Sequence, residues 1–262
     1  MAGPVLLYPG GKYKIRDWIC SFIPEHKIYI EPFCGGASIF FAKTPSEVEV
    51  LNDINGEICN FFRVLREEGE ELAKQVFLTP YAREEYENSY LVSDKDSALE
   101  RARKFCVRCH LSFAGGNHYK TGFRDARANN WNQLPETIIK SMYRIKQAQI
   151  ESVSALNLIE KYQSTEVFFY LDPPYYFSNS GDKHKYLYQH ILSPEEHETM
   201  LKILVKSPSK ILISGYDNEL YQTYLEKNGW NKQQKVTVAN KGQERIETIW
   251  MNYETAMQLS LF

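Results

Sequence analysis

The stretch Val167-Phe168-Phe169-Tyr170-Leu171-Asp172-Pro173-Pro174-Tyr175 decides the fold class. Its first five residues form a continuous apolar run, which is typical of a strand covered on both faces in a parallel sheet. Pro173 and Pro174 have no backbone N–H to donate, so strand pairing has to stop there. We therefore predict a buried strand whose carboxyl end presents Asp172.

Apolar runs on either side of this stretch predict neighbouring strands at residues 28–30, 48–51 and 211–213. A helix is predicted between the central strand and the last of these runs. Ser193 is suited to its N-cap, Pro194 to its first helical position, and Glu196 to closing a capping box. The chain therefore alternates strands and helices around the central strand.

The C-terminal part adds a predicted helix at residues 217–227 and two β-type segments at 236–238 and 248–252. A polar, glycine-containing connection separates the two segments, which predicts an antiparallel hairpin. Strands that alternate with helices imply parallel pairing with right-handed crossovers. We predict an α/β fold with a mostly parallel sheet and a C-terminal antiparallel hairpin.

The middle of the chain differs from its two ends. From about residue 60 to residue 144 we find no convincing buried strand, but helical patterns around a polar, glycine-bearing loop at 114–131. We interpret residues 60–146 as a mainly helical insertion in one sheet domain, which residues 1–59 and 147–262 form together.

Composition favours an ordinary soluble globule, because 43% of the 262 residues are hydrophobic and 24% are charged. The first seven residues are too short and lack a basic leader for a signal peptide, and no apolar run reaches membrane-spanning length. Five cysteines without a disulfide pattern lead us to expect a reducing cytoplasm.

Cys106-Val107-Arg108-Cys109-His110 spells a haem-attachment pattern, but it lies in a helical apolar repeat and has no second C-x-x-C to hold zinc. We interpret its cysteines as core residues and expect no metal.

Charge is distributed unevenly along the chain. Residues 101–146 contain ten Lys and Arg against two Asp and Glu, a net charge of +8, whereas the whole chain carries −2. A basic middle on an acidic body is the electrostatic signature of a phosphate-binding face. The alternative is an ordinary solvated helix surface.

Two predicted strand ends carry residues suited to a nucleoside ligand. The turn Glu31-Pro32-Phe33-Cys34-Gly35-Gly36-Ala37-Ser38 has paired glycines that let the backbone approach a ligand, although it lacks the G-x-G-x-x-G spacing. Asp53 ends the next strand, where α/β nucleoside sites bind ribose hydroxyls, and it could also cap the following helix. Near the start, Tyr8-Pro9-Gly10-Gly11-Lys12 offers an aromatic ring and a cation.

The end of the central strand offers a carboxylate at Asp172, a free carbonyl at Pro173 and an aromatic ring at Tyr175. The lone pair of an amino group on a base is conjugated with the ring and is a poor nucleophile. Acceptors for both amine hydrogens draw the nitrogen toward tetrahedral geometry and stabilise the charge that develops during attack. Asp172 and the Pro173 carbonyl can be those acceptors, while Tyr175 stacks on the base. The alternative is that the two prolines only terminate a strand.

These motifs, in this order, resemble those of the DNA adenine methylase family: Tyr8…Lys12, Glu31-Pro32-Phe33-Cys34-Gly35-Gly36, Asn52-Asp53-Ile54-Asn55 and Asp172-Pro173-Pro174-Tyr175. Ser214-Gly215-Tyr216 and the closing Glu247-Thr248-Ile249-Trp250-Met251-Asn252-Tyr253 add to the resemblance. It covers nearly the whole chain and is weakest at about residues 88–131.

The resemblance implies a Rossmann-like methyltransferase sheet, with S-adenosylmethionine as the methyl donor. It implies methylation of the exocyclic amine of an adenine that is flipped out of duplex DNA, because such a site cannot reach a base inside the duplex. The catalytic motif would be Asp172, Pro173, Pro174 and Tyr175. The cofactor contacts would come from Tyr8, Gly10, Lys12, Glu31, Phe33, Gly35, Asp53 and Asp172.

The insertion would recognise the target sequence. Its candidate DNA contacts are Arg108, Asn117, Lys120, Arg124 and Arg127. Its loop departs from that of family members that read GATC, so no target sequence is predicted. Gln258-Leu259-Ser260-Leu261-Phe262 resembles the peptide by which bacterial proteins dock on the replicative sliding clamp, with a frayed terminus as the alternative.

Two other functions are compatible with these motifs. The same chemistry could act on an amine or amide in RNA or protein, or the chain could be a non-catalytic DNA-binding protein. The basic middle favours DNA, and the presence of both Asp53 and Asp172 argues against a protein without activity. We expect a DNA-associated protein in the cytoplasm of a bacterial or phage-infected cell.

Overall fold

A computed structural model describes residues 3–116, 118–125, 128–176, 190–238 and 244–254. Its centre is a seven-stranded sheet with the order β3-β2-β1-β4-β5-β7-β6. The strands are β1 (Ile28–Glu31), β2 (Val48–Asn52), β3 (Gln149–Glu151), β4 (Val167–Leu171), β5 (Lys210–Gly215), β6 (Asn231–Val238) and β7 (Glu244–Met251). The first five strands pair in parallel, and β7 pairs antiparallel with both β5 and β6. The predicted fold class is confirmed.

Strand β4 lies in the middle of the sheet between β1 and β5, and all five of its residues are buried. Its side chains alternate between two apolar clusters, with Phe168 in one and Phe169 in the other. Helices therefore cover both faces of the sheet at β4, as its uninterrupted apolar run predicts.

Ten α-helices connect and cover the strands in the described part of the chain. They are α1 (Arg16–Cys20), α2 (Ser38–Ala42), α3 (Gly56–Glu67), α4 (Gly69–Leu78), α5 (Arg83–Asn88), α6 (Ala98–Leu111), α7 (Asn129–Ile145), α8 (Ala155–Lys161), α9 (Pro194–Lys206) and α10 (Glu219–Tyr224). Helix α9 begins as predicted, because the Ser193 hydroxyl accepts from the Glu196 N–H and the Glu196 carboxylate accepts from the Ser193 N–H. None of the helices described is long and apolar enough to cross a membrane.

One local prediction needs correction, and one strand was not predicted. The helix predicted at residues 217–227 is shorter, because Asn218 caps α10 and a 3-10 turn, Glu226–Asn228, replaces its last part. Strand β3 was not predicted, since it has only three residues, a single apolar one among them, and lies at the edge of the sheet. An edge strand of this kind leaves no apolar pattern in the sequence.

The helical insertion packs onto the same face of the sheet as α1 and α2. Phe105 of α6 and Ile138 of α7 belong to one apolar cluster with Ile19 and Phe40 of the sheet domain. Cys106 and Cys109 are fully buried in this cluster, which confirms that they are core residues. The division at residue 60 stays a prediction, and that boundary falls inside α3.

A buried group of three charges also joins the insertion to the sheet. The Glu49 carboxylate of β2 accepts from Lys43 Nζ at 2.5 Å and from Arg144 of α7 at 2.5 and 2.7 Å. Arg144 also donates to the Phe40 carbonyl at 2.9 Å, and its guanidinium lies 3.8 Å from the centre of the Phe40 ring. These contacts tie α7, the last helix of the insertion, to β2 and α2.

Candidate active site

The predicted motifs converge on one cavity of about 330 Å³ at the carboxyl ends of β1, β2 and β4. Parallel strands end at the same edge of a sheet, so residues far apart in the sequence meet there. Every residue predicted to contact the cofactor lines this cavity: Tyr8, Gly10, Lys12, Glu31, Phe33, Gly35, Asp53 and Asp172. Pro174 also lines it.

Asp172 is held by two side chains from distant parts of the chain. Lys12 Nζ donates to its two carboxylate oxygens at 2.7 and 2.9 Å and to the Gly10 carbonyl at 2.9 Å. Ser214 Oγ, at the end of β5, donates to Asp172 Oδ1 at 2.8 Å. The Lys12 side chain is only 4% exposed, so its charge depends on Asp172 for compensation.

Tyr175 lies beside this ion pair. Its hydroxyl donates to Glu247 Oε2 at 3.1 Å, and its ring centre is 4.3 Å from that of Tyr216. Lys12 Nζ is 4.9 Å from the centre of the Tyr175 ring. Pro173 is buried and is not among the residues that line the cavity. The catalytic motif thus presents a carboxylate and an aromatic ring together.

The glycine turn after β1 brings its backbone close to Tyr8. Gly35 has a φ of +47°, and a Cβ there would lie 3.1 Å from the Tyr8 ring. A larger residue would be strained and would also push against that ring. The Gly35 N–H donates to Asp53 Oδ2 at 3.0 Å. The turn therefore links the two predicted sides of the cofactor pocket.

Asp53 holds two backbone groups and faces the cavity. Its Oδ1 accepts from the Asn55 N–H at 2.9 Å, and its Oδ2 accepts from Gly35. Burial raises the pKa of its carboxyl to about 6, against the opposing effect of these two hydrogen bonds. Asn55, and not Asp53, caps α3, since its side chain accepts from the Glu57 N–H. Of the two roles predicted for Asp53, helix capping is wrong.

Glu31 lies at the cavity floor, 1% exposed, and joins β1 to α2. Its Oε1 accepts from the Tyr29 hydroxyl at 2.5 Å and from the Phe40 N–H at 2.8 Å. Burial raises the pKa of the Glu31 carboxyl to about 8, despite these two donors and the nearby Lys43 ammonium. At neutral pH this carboxyl is therefore mostly protonated.

Three residues complete the site without having been assigned a role from the sequence: Ser214, Tyr216 and Glu247. Ser214 lies at the end of β5, Tyr216 follows that strand, and Glu247 lies on the adjacent strand β7. The antiparallel pairing of these strands brings the three residues to Asp172 and Tyr175. Their motifs were noticed as parts of the resemblance, but roles depend on side-chain contacts that only the folded structure provides.

The residues predicted to contact DNA do not lie together in one exposed site. Arg108 is 4% exposed, donates to the Ser89 carbonyl and to Glu57, and is therefore a buried structural residue, so the prediction of a DNA contact there is wrong for this conformation. Lys120 and Arg124 are exposed, and Lys120 pairs with Glu87 at the surface. Asn117, Arg127 and the peptide at residues 258–262 lie outside the described residues.

The charge of +8 counted along the insertion is largely compensated in space. Of the nine basic side chains that the structure describes in this segment, six pair with acidic residues that precede residue 101: Arg101, Arg103, Lys104, Arg108, Lys120 and Arg144. A count over a sequence window omits partners outside the window. The prediction of one broad basic face is therefore too strong, and Lys120 and Arg124 are the exposed candidates that remain from the predicted set.

Among the described residues there is no group of three or more His, Cys, Asp or Glu side chains that could hold a metal ion.

The strand order contains the 3-2-1-4-5 arrangement of a Rossmann-like sheet. Asp53 directly follows β2, at the position where such folds bind ribose hydroxyls. Fold and site together define a Rossmann-like protein whose cavity suits a nucleoside.

Comparison with known proteins narrows this class. Residues 8–238 match the model of the D12 class N6 adenine-specific DNA methyltransferases. The chain belongs to this family.

Relatives in the family are moderately similar. M1.LlaDCHI, a type II methyltransferase of Lactococcus lactis subsp. cremoris, is 28% identical over 196 residues, which are 66% of this chain and 65% of that protein. A DNA adenine methylase of Vibrio cholerae is 29% identical over 182 residues, 65% of this chain and 64% of its own. The type II methyltransferase M.CviBI of Paramecium bursaria Chlorella virus NC1A is 26% identical over 85% of this chain and 87% of its own. The chain thus spans slightly less than two thirds of the first two.

Proposed function

We propose that the protein transfers a methyl group from S-adenosylmethionine to the exocyclic amine of a flipped adenine in duplex DNA, at a specific sequence. The observation that carries this proposal is that Asp53 and Asp172 face one cavity from the ends of β2 and β4. One carboxylate suits the ribose of the donor and the other suits an amine.

The residues around the cavity fit such a donor. The Asp53 carboxylate has about four lone-pair sites, of which the Asn55 and Gly35 N–H groups use two, so two remain for ribose hydroxyls. Tyr8, held against the Gly35 turn, provides an aromatic face at the other side. When bound, S-adenosylmethionine supplies an activated methyl group on a sulfonium.

Asp172 is positioned to receive the amine. Lys12 and Ser214 occupy three of its lone-pair sites, which leaves about one for an amine hydrogen. The Pro173 carbonyl is the proposed acceptor for the second hydrogen, and Tyr175 is the proposed stacking partner of the base. These acceptors stabilise the positive charge on the attacking nitrogen. The nitrogen loses its proton afterwards, because the methylated ammonium is acidic.

The proposed activity is tested by incubating the protein with methyl-labelled S-adenosylmethionine and a sequence-diverse duplex DNA. We expect label in DNA, recovered as N6-methyladenine after digestion to nucleosides, and sequencing of the product gives the recognition site. RNA and bulk protein are assayed in parallel. Label only in RNA or protein would replace DNA as the substrate, and no label in any of them would contradict the enzyme proposal.

Exposed basic residues of the insertion are expected to contact DNA phosphates. Changing Lys120 and Arg124 together to alanine should weaken duplex binding and reduce the slope of log K against log salt by about 2, since each phosphate contact contributes about 1. Fluorescence anisotropy over a salt series measures both. Lys161→Ala, at the end of α8 that points away from the cavity, is the control and should leave the slope unchanged. An unchanged slope in the double variant would exclude these two residues as phosphate contacts.

A further inference from the structure

The N-terminal segment that leads into the Tyr8–Lys12 turn lies between two glycine turns. Val5 and Leu6 of this segment are 3% and 1% exposed. On one side lies the Gly35-Gly36 turn of the sheet domain, and on the other lies Gly115, which follows α6 of the insertion. The segment is therefore fixed by both parts of the molecule.

The Gly35-Gly36 turn lies close to the N-terminal segment. A Cβ at Gly36 would lie 3.2 Å from the Leu6 carbonyl oxygen and 3.3 Å from Tyr8 Cβ. The Gly11 N–H donates to the Tyr8 carbonyl at 3.1 Å, which closes the turn that presents Lys12 to Asp172. A shift of the segment would consequently move both Tyr8 and Lys12.

Gly115 of the insertion approaches the backbone of the N-terminal segment even more closely. Gly115 has a φ of +70°, and a Cβ there would lie 2.3 Å from the Leu7 carbonyl oxygen and 3.1 Å from its carbon. No heavy atom can approach backbone at 2.3 Å, so any other residue at 115 must force the loop and the segment apart. One turn earlier, His110 Nε2 lies 3.0 Å from the Val5 carbonyl oxygen, in a buried hydrogen bond.

Gly115 belongs to the loop that carries the proposed DNA contacts. The Phe113 N–H donates to the Gly122 carbonyl at 3.0 Å, and the Arg124 N–H donates to the Leu111 carbonyl at 2.7 Å. These bonds hold the two arms of the loop together at its base. A continuous set of close contacts thus runs from the loop with Lys120 and Arg124 to the Tyr8–Lys12 turn.

We propose that Gly115 is a positioning residue, through which the insertion sets the place of the Tyr8–Lys12 turn and hence the affinity for the methyl donor. His110 acts with it by anchoring Val5. This proposal rests on the proposed function in one respect, namely that the cavity binds S-adenosylmethionine. Because binding free energies are reciprocal, a loop that moves on DNA would change donor affinity through the same contacts.

The test compares two glycines of the same loop. Gly122 also has a positive φ, +101°, but a Cβ there would meet only the Phe113 ring, at 3.5 Å. Gly122→Ala therefore introduces similar backbone strain without reaching the N-terminal segment. Calorimetric titration with S-adenosylhomocysteine, in the absence of DNA, should give an affinity about tenfold weaker for Gly115→Ala than for Gly122→Ala, which should match the unchanged protein.

The outcomes separate this proposal from the proposed function. If the unchanged protein does not bind S-adenosylhomocysteine, the proposed function fails. If it binds, and the two alanine variants have equal affinities, the role of Gly115 is refuted. Steady-state kinetics give a second readout, since misplacing the turn should raise KM for the donor in Gly115→Ala but not in Gly122→Ala.

A second pair of variants covers the case in which Gly115→Ala does not fold. His110→Gln places an amide donor near the position of Nε2, whereas His110→Leu has none. We expect His110→Leu to weaken S-adenosylhomocysteine binding and His110→Gln to restore most of it. Equal affinities for the two His110 variants would overturn the proposal, with circular dichroism confirming that both are folded.

Discussion

Replacing Asp172 by asparagine is expected to lower methyl transfer to duplex DNA by about a thousandfold. The amide keeps the size of the carboxylate but presents N–H donors where the amine of the base needs acceptors. It also removes the carboxylate that pairs with the Lys12 ammonium at 2.7 Å. The initial rate of label incorporation at saturating donor and DNA measures the loss.

Asp217→Asn is the matched control for this variant. Asp217 follows the neighbouring strand β5 and pairs with Lys232 at 2.7 Å near the surface, outside the cavity. Exposed ion pairs contribute little, so this variant should keep its full rate. If Asp172→Asn retained more than about a tenth of the rate, Asp172 would not be at the reacting centre.

Replacing Asp53 by asparagine is expected to weaken S-adenosylhomocysteine binding by about tenfold to a hundredfold, because hydrogen bonds to a charged acceptor are worth about 1.5–3 kcal/mol. The variant keeps one acceptor oxygen for the Gly35 or Asn55 N–H but loses the ionised group that faces the ribose. Calorimetric titration gives the affinity, and Asp217→Asn, outside the cavity, is a control expected to bind normally.

Asp53 also leads us to expect that the affinity for S-adenosylhomocysteine depends on pH. Burial raises the pKa of the Asp53 carboxyl to about 6, so it takes up a proton as the pH falls from 7.5 to 5. A ligand that prefers the ionised form must bind more weakly as this happens, and the affinity should fall across that interval. Glu31, whose pKa burial raises to about 8, stays mostly protonated there and adds little to the slope.

Asp53→Asn should therefore abolish most of the pH dependence between pH 5 and 7.5 as well as lower the affinity. Titrations of both proteins in the same buffers at several pH values measure the two slopes. An equally steep slope in the variant would show that another group near the cavity is responsible, and it would remove the ionised Asp53 carboxylate from donor recognition.

The sheet and the cavity could be predicted from the sequence because both depend on local patterns. The apolar run at Val167–Leu171 and the prolines after it define a buried strand and its end, and the structure has both. Since the carboxyl ends of parallel strands share one edge, Asp53 and Asp172 had to meet once each was placed at a strand end. This inference needed no knowledge of side-chain contacts.

Contacts between distant side chains could not be predicted in the same way. Arg108 looked like a surface cation in a basic segment, but Glu57 on α3 and the Ser89 carbonyl draw it into the interior. The role of Ser214 depends on the neighbouring positions of β4 and β5 in the sheet. Such roles depend on which helices and strands become neighbours, and a linear pattern does not encode that.

The charges of Lys43, Glu49 and Arg144 have a consequence for exchanging the insertion of this chain. Grafting a foreign insertion would have to supply an arginine at the position of Arg144, since without it the buried Glu49 carboxylate would keep Lys43 but lose its second cationic partner. The insertion is therefore not an exchangeable module. If the loop with Lys120 and Arg124 makes the proposed DNA contacts, we expect substitutions there to change the target sequence while this junction stays intact.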